Sequence, residues 1–145
     1  MKRFIPITAL LFLFACNNSE TKEPEVLEKP QEWQAAAQQF IRAALDGDYT
    51  KARTFLIKDS TNKQTIDTYE IYYKNNRPPD QKKALQAASV YFLKETHQVN
   101  DSVAIVHYSN SYSNTPDSLK VVKLNGQWLI DMNFTFQPKD SIPPK

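Results

Sequence analysis

The sequence predicts an α+β domain in which N-terminal helices pack on one face of an antiparallel sheet of about four strands. Apolar residues recur every three or four positions early in the chain and every second position from residue 89 onward. Asn125-Gly126 adds the strongest short hairpin signal, because both central residues of a type I′ turn need positive φ. Helices first and strands afterwards place the helices together over one sheet face.

The first helix is expected over residues 32–46, where Trp33, Ala36, Ala37, Phe40, Ile41, Ala44 and Leu45 mark one side. Gly47 suits the left-handed position that ends a helix, and Asp48 can cap a second, over residues 49–57, burying Ala52, Phe55 and Leu56. A third starts near Ser60 or Thr61 and runs to about Asn75, with Ile66, Tyr69 and Tyr73 on one side. Arg77-Pro78-Pro79-Asp80 breaks it, and a brief helical turn follows at residues 81–85. Strands are expected at residues 89–99, 102–112, 118–124 and 127–136, joined through Asn100-Asp101, Asn114-Thr115-Pro116-Asp117 and Asn125-Gly126.

A two-residue loop at Asn125-Gly126 sets a register. It pairs Leu124 with Gln127, Lys123 with Trp128, Val121 with Ile130 and Leu119 with Met132. Leu119, Val121, Trp128, Ile130, Met132 and Phe134 then face the helices, with Trp128 in the core. The other face sets Lys120 across from Asp131, an opposite-charge pair.

The chain opens Met1-Lys2-Arg3 and then runs apolar to Ala15, the pattern of a secretory signal over residues 1–15. As a helix those dozen apolar residues would cover about 18 Å of a hydrocarbon core roughly 30 Å thick, too little to span it. Leu13-Phe14-Ala15-Cys16 resembles the bacterial lipobox, which implies diacylation of Cys16, cleavage before it and attachment to a membrane through its acyl chains. The competing reading, an ordinary signal peptide with an incidental cysteine, leaves an exported thiol without a disulfide partner, since Cys16 is the one cysteine in the chain. Asn17 after the cysteine, rather than Asp, fits outer-membrane sorting under the enterobacterial rule.

Residues 16–31 then comprise the lipidated cysteine and a flexible linker, polar, acidic and punctuated by Pro24 and Pro30. Residues 137–145 share that character as a loose tail, which leaves residues 32–136 for one core and one domain. Of the 18 basic residues two are Lys2 and Arg3, so cleavage leaves 16 against 16 acidic residues. A formal charge of zero supplies no field to recruit nucleic acid or anionic lipid.

Phe40-Ile41-Arg42-Ala43-Ala44-Leu45-Asp46-Gly47-Asp48-Tyr49-Thr50-Lys51-Ala52 resembles the opening of small nuclear-transport-factor-2-like domains. Ser102-Val103-Ala104-Ile105-Val106 and Lys123-Leu124-Asn125-Gly126-Gln127-Trp128 are similar to the strand pair and hairpin of that superfamily's bacterial lipoprotein branch, a domain of unknown function. The resemblance covers residues 32–136 and implies a cone of helices closed by a curved sheet. Its motifs are a cap, a turn and a core tryptophan, so they speak for fold and not for activity.

Three functional classes compete. An isomerase or dehydratase would need an acid or base inside the cone, and the candidates are Asp131, His107, Tyr108 and Tyr112. Register turns Asp131 outward to Lys120, and alternation sends His107 and Tyr108 to opposite faces, so no catalytic residue is expected. A binding module would use aromatic area, with Tyr69, Tyr73, Tyr108, Tyr112 and His107 as candidate ligand contacts in the cone or on its surface. The third class, a non-catalytic structural or interaction module of the cell envelope, is the expectation, with an envelope protein or small molecule as partner. Neither metal nor cofactor is expected. His97 and His107 are the only histidines, Asp46-Gly47-Asp48 reads as cap and turn, and two glycines cannot build a phosphate-cradling loop.

Overall fold

The computed structural model describes residues 31–135. The signal segment, Cys16, the linker up to residue 30, Phe136 and the tail lie outside the described residues. Four helices come first, α1 (Glu32–Asp46), α2 (Tyr49–Arg53), α3 (Ser60–Asn76) and α4 (Pro79–Gln86). Five strands follow, β1 (Val90–Phe92), β2 (His97–Asn100), β3 (Val103–Asn110), β4 (Asp117–Leu124) and β5 (Gln127–Asp131), and then a short α5 (Met132–Thr135).

The helix boundaries follow local chemistry. Gly47 takes φ 76° and closes α1 by donating its N–H to Ala44 O, while Asp48 N–H reaches Ala43 O. A Cβ at Gly47 would fall 2.5 Å from Tyr73 Cε1, so the same residue lets α3 approach the end of α1. Asp48 caps α2 by accepting from Lys51 N at 2.9 Å. That helix stops at Arg53, short of the expected residue 57, because β5 claims the next residues. Ile130 N donates to Phe55 O at 2.7 Å and Ile57 N to Ile130 O at 3.1 Å. α4 begins earlier than expected, since Pro79 itself occupies the first helical position, where its missing N–H costs nothing.

The sheet is open and antiparallel, in the order β1-β3-β4-β5, with β2 also on β3. The expected strand over residues 89–99 is divided in two, which raises the number from about four to five. A turn from Leu93 to Thr96 interrupts it (Thr96 N to Leu93 O, 3.1 Å). There the Thr96 hydroxyl stands in for a backbone partner, accepting from His107 N at 2.9 Å and donating to His107 O at 2.8 Å. The β4–β5 hairpin has the expected register, Leu124 with Gln127, Lys123 with Trp128, Val121 with Ile130 and Lys120 with Asp131. Asn125 and Gly126 have φ 49° and 80°.

β5 ends at Asp131, so the expected pairing of Leu119 with Met132 is replaced by the turn into α5. Asn62 Oδ1 accepts from Met132 N at 2.7 Å and Asp131 Oδ1 from Asn133 N at 3.1 Å, which pulls the backbone out of the ladder. Met132 is buried all the same, while Phe134, expected beneath the helices, is 41% exposed.

The core lies between α1 and the inner sheet face. Trp33, Ala37, Phe40 and Ile41 meet Ala104, Val106, Leu119, Val121 and Ile130, all buried. Trp128 is only partly buried, contrary to the expectation of a core residue. It packs against the core's edge with Lys123 Nζ 5.6 Å from its ring centroid and borders an open cleft of about 460 Å³ beside Ala36 and Phe55.

Candidate functional site

Alternation along β3 turns Ala104, Val106 and Tyr108 toward the helices and Val103, Ile105 and His107 away from them. Tyr108 is the ladder partner of Asp117 on β4, and its hydroxyl donates to Asp117 Oδ2 at 3.2 Å. With Tyr49 from α2 and Tyr69 from α3, this pair borders a cavity of about 80 Å³ whose apolar wall includes Phe40, Leu119 and Met132.

Burial pushes the Tyr108 phenol far above its ordinary pKa, and the Asp117 charge adds to the shift. Tyr69 is raised by burial and then by Asp117. Burial also takes Tyr49 up to about 12, with Tyr73 contributing. All three hydroxyls therefore stay protonated near neutral pH. They can donate hydrogen bonds, and they are poor bases and reluctant acids. The space would hold a few waters, against roughly 300–1,000 Å³ for ordinary small-molecule sites.

Of the five candidate contacts, the structure brings Tyr69 and Tyr108 together. Tyr73 is buried against Gly47, edge-on to Tyr49 with ring centroids 5.6 Å apart, and its hydroxyl has no hydrogen-bond partner among the described residues. Tyr112 is exposed in the loop after β3, where its N–H donates to Asn110 Oδ1. His107 lies on the outer sheet face with Nδ1 2.8 Å from Ser118 Oγ, its ring stacked on His97 at 6.4 Å between centroids. Asp131 is on that face too, its Oδ2 3.3 Å from Lys120 Nζ.

Two cavity residues were not singled out from the sequence. Tyr49 reads there as the first residue of a short helix and Asp117 as part of a turn. The β3–β4 register was the signal that could have found Asp117, since it sets that carboxylate directly beside Tyr108. Among the described residues no group of three or more His, Cys, Asp or Glu could hold a metal ion, and no helix is long and apolar enough to cross a membrane. Comparison of the chain with protein families, with curated proteins and with solved structures finds no match.

Proposed function

We propose that the chain is a lipid-anchored protein of the bacterial cell envelope, held at the outer membrane through acylated Cys16, and that its domain is a non-catalytic structural or interaction module of nuclear-transport-factor-2-like descent. The observation that carries the non-catalytic reading is the small interior: about 80 Å³ bordered by tyrosines whose hydroxyls hold their protons. General acid–base catalysis wants a group with a pKa near the working pH and within about 3 Å of the reacting proton. Burial moves these phenols away from that range. Asp117, the carboxylate in reach, already accepts from Ser118 N at 2.7 Å and from Tyr108.

Two experiments test the two halves. Cys16→Ser should abolish metabolic labelling with a fatty acid and release the protein from membranes; unchanged labelling rejects the anchor. Tyr108→Phe and Asp117→Asn should each complement a deletion strain as well as the unaltered chain does. Failure to complement at normal protein levels would move the reading to the cavity.

A second reading, binding of a small molecule in the cone, rests on the same Tyr108–Asp117 pair. Three hydroxyls and a carboxylate beside an apolar wall would suit a polar ligand of a few non-hydrogen atoms.

A further inference from the structure

A concavity larger than the tyrosine-lined cavity opens where α2 gives way to α3. This cleft, of about 400 Å³, falls within the size range of small-molecule sites. Its exposed apolar surface comes from the half-buried Ile57, over a floor in which Leu56 and Ile66 are 4% and 1% exposed. Its charged residues are three cations, Arg53, Lys58 and Lys63, and one anion, Asp59.

The bonding within this set is uneven. Both Asp59 oxygens are committed to α3, Oδ1 to Asn62 N and Oδ2 to Asn62 Nδ2, each at 2.7 Å. Lys63 Nζ lies 3.1 Å from Asp67 Oδ2. Arg53 meets both Asp67 and Glu70, but through Nη2 alone. Its Nε and Nη1 hydrogens have no acceptor among the described residues, and Lys58 has neither a hydrogen bond nor an ion pair there. The cleft thus joins apolar surface to uncommitted cationic donors, with its one carboxylate turned to other work.

Ligand charge follows from the same arrangement. Asp59, Asp67 and Glu70 balance Arg53, Lys58 and Lys63 charge for charge, and Lys74, paired with Glu70, leaves a surplus of a single positive charge, so a dianion would meet repulsion. A monoanion fits the balance, and the apolar surface calls for a hydrocarbon portion behind it. We propose that this cleft binds the monomeric anion of a medium-chain fatty acid, its carboxylate at Lys58 and Arg53 and its chain along Ile57 and the aliphatic stems of the cationic side chains. This site shares Ile66 alone with the tyrosine-lined cavity and stands whether or not the domain is non-catalytic.

The test uses the full chain carrying Cys16→Ser, with decanoate as probe below its micelle concentration. Acetate supplies the head without the chain, and octyl glucoside the chain without the charge. Isothermal titration should show saturable binding of one decanoate per chain, with octyl glucoside weaker by about tenfold or more, the worth of a charge-assisted contact, and acetate weaker because it buries no hydrocarbon. Amide shifts on titration should concentrate in residues 53–66. Lys58→Glu should raise the Kd by about tenfold or more. Ile57→Ser, which shortens the apolar contact and leaves every cation in place, should weaken decanoate binding too. Circular dichroism melts that match the parent confirm that both variants are folded, and Lys58→Ala replaces Lys58→Glu if the latter melts early. The proposal is overturned by absence of saturable decanoate binding, by octyl glucoside binding as well as decanoate, or by shifts centred elsewhere. Unchanged affinity in both variants overturns it as well, and so does association with phosphatidylglycerol vesicles but not with decanoate.

Discussion

α1 and α3 are of similar length, 15 and 17 residues, and are held in the fold by different forces. α1 buries six residues, all apolar (Trp33, Ala36, Ala37, Phe40, Ile41 and Ala43). α3 buries only Asn62, Ile66 and Tyr73. What it lacks in area it makes up in directed bonds. Asp59 caps its start, Asn62 clips it to the first residue of α5, and Arg53 ties it to α2 through Asp67 and Glu70. Burial tolerates small shifts of angle, whereas a hydrogen bond does not. α1 therefore gives the domain its stability, and α3 is set in place by a few atoms.

The largest effect should come from Phe40→Ala, which removes a buried aromatic from the α1 side and should cost about 3–5 kcal/mol in urea unfolding. Asn62→Ala should follow at about 1–3 kcal/mol, because it leaves the buried Met132 N–H without its acceptor. If Asn62→Ala proves the costlier of the two, the ranking of area over directed bonds is reversed.

The smallest effect belongs to the ion pairs, and their dependence on conditions is the measurement. Hydrogen bonds from Arg53 and then Lys63 hold the Asp67 carboxyl below its ordinary pKa, and bonds from Lys74 and then Arg53 do the same for Glu70. Carboxyls lowered in the folded state contribute stability above their unfolded pKa of about 4, and that contribution is lost as pH falls through the folded values. The urea midpoint should therefore drop below about pH 4, less steeply in Arg53→Met than in the parent. Added salt should shrink the difference between the two proteins near neutral pH. A difference insensitive to both pH and salt would mean that Arg53 acts through the packing of its stem rather than through its charge.

The sequence spoke clearly wherever the signal was local. Asn125-Gly126 carried the hairpin and its register, Gly47 and Asp48 the step between two helices, and the spacing from Trp33 to Ile41 the buried face of α1. It was silent where a partner lies far along the chain. Met132-Asn133-Phe134 continues the alternation of β5, and nothing local says that Asn62, 70 residues earlier, takes the Met132 N–H. The expected strand over residues 89–99 reads as continuous because its interruption is made by the Thr96 side chain reaching His107 on another strand. At the candidate site, parity alone was enough to put His107 and Tyr108 on opposite faces, without saying which of them meets the helices. Asp117 needed the β3–β4 register as well, and that register comes through a longer loop than Asn125-Gly126.

The short run from Phe55 to Ile57 does more than end a helix. By bonding to Ile130 on both sides it occupies part of the outer rim of β5, leaving β1 and β2 as the other boundary of the sheet. That boundary is broken by the Leu93–Thr96 turn and again by a register shift between Gln98 and Asn100. Strand ends that are short, kinked or already occupied make poor templates for adding another chain. Copies of this domain crowded side by side should accordingly resist zipping together edge to edge.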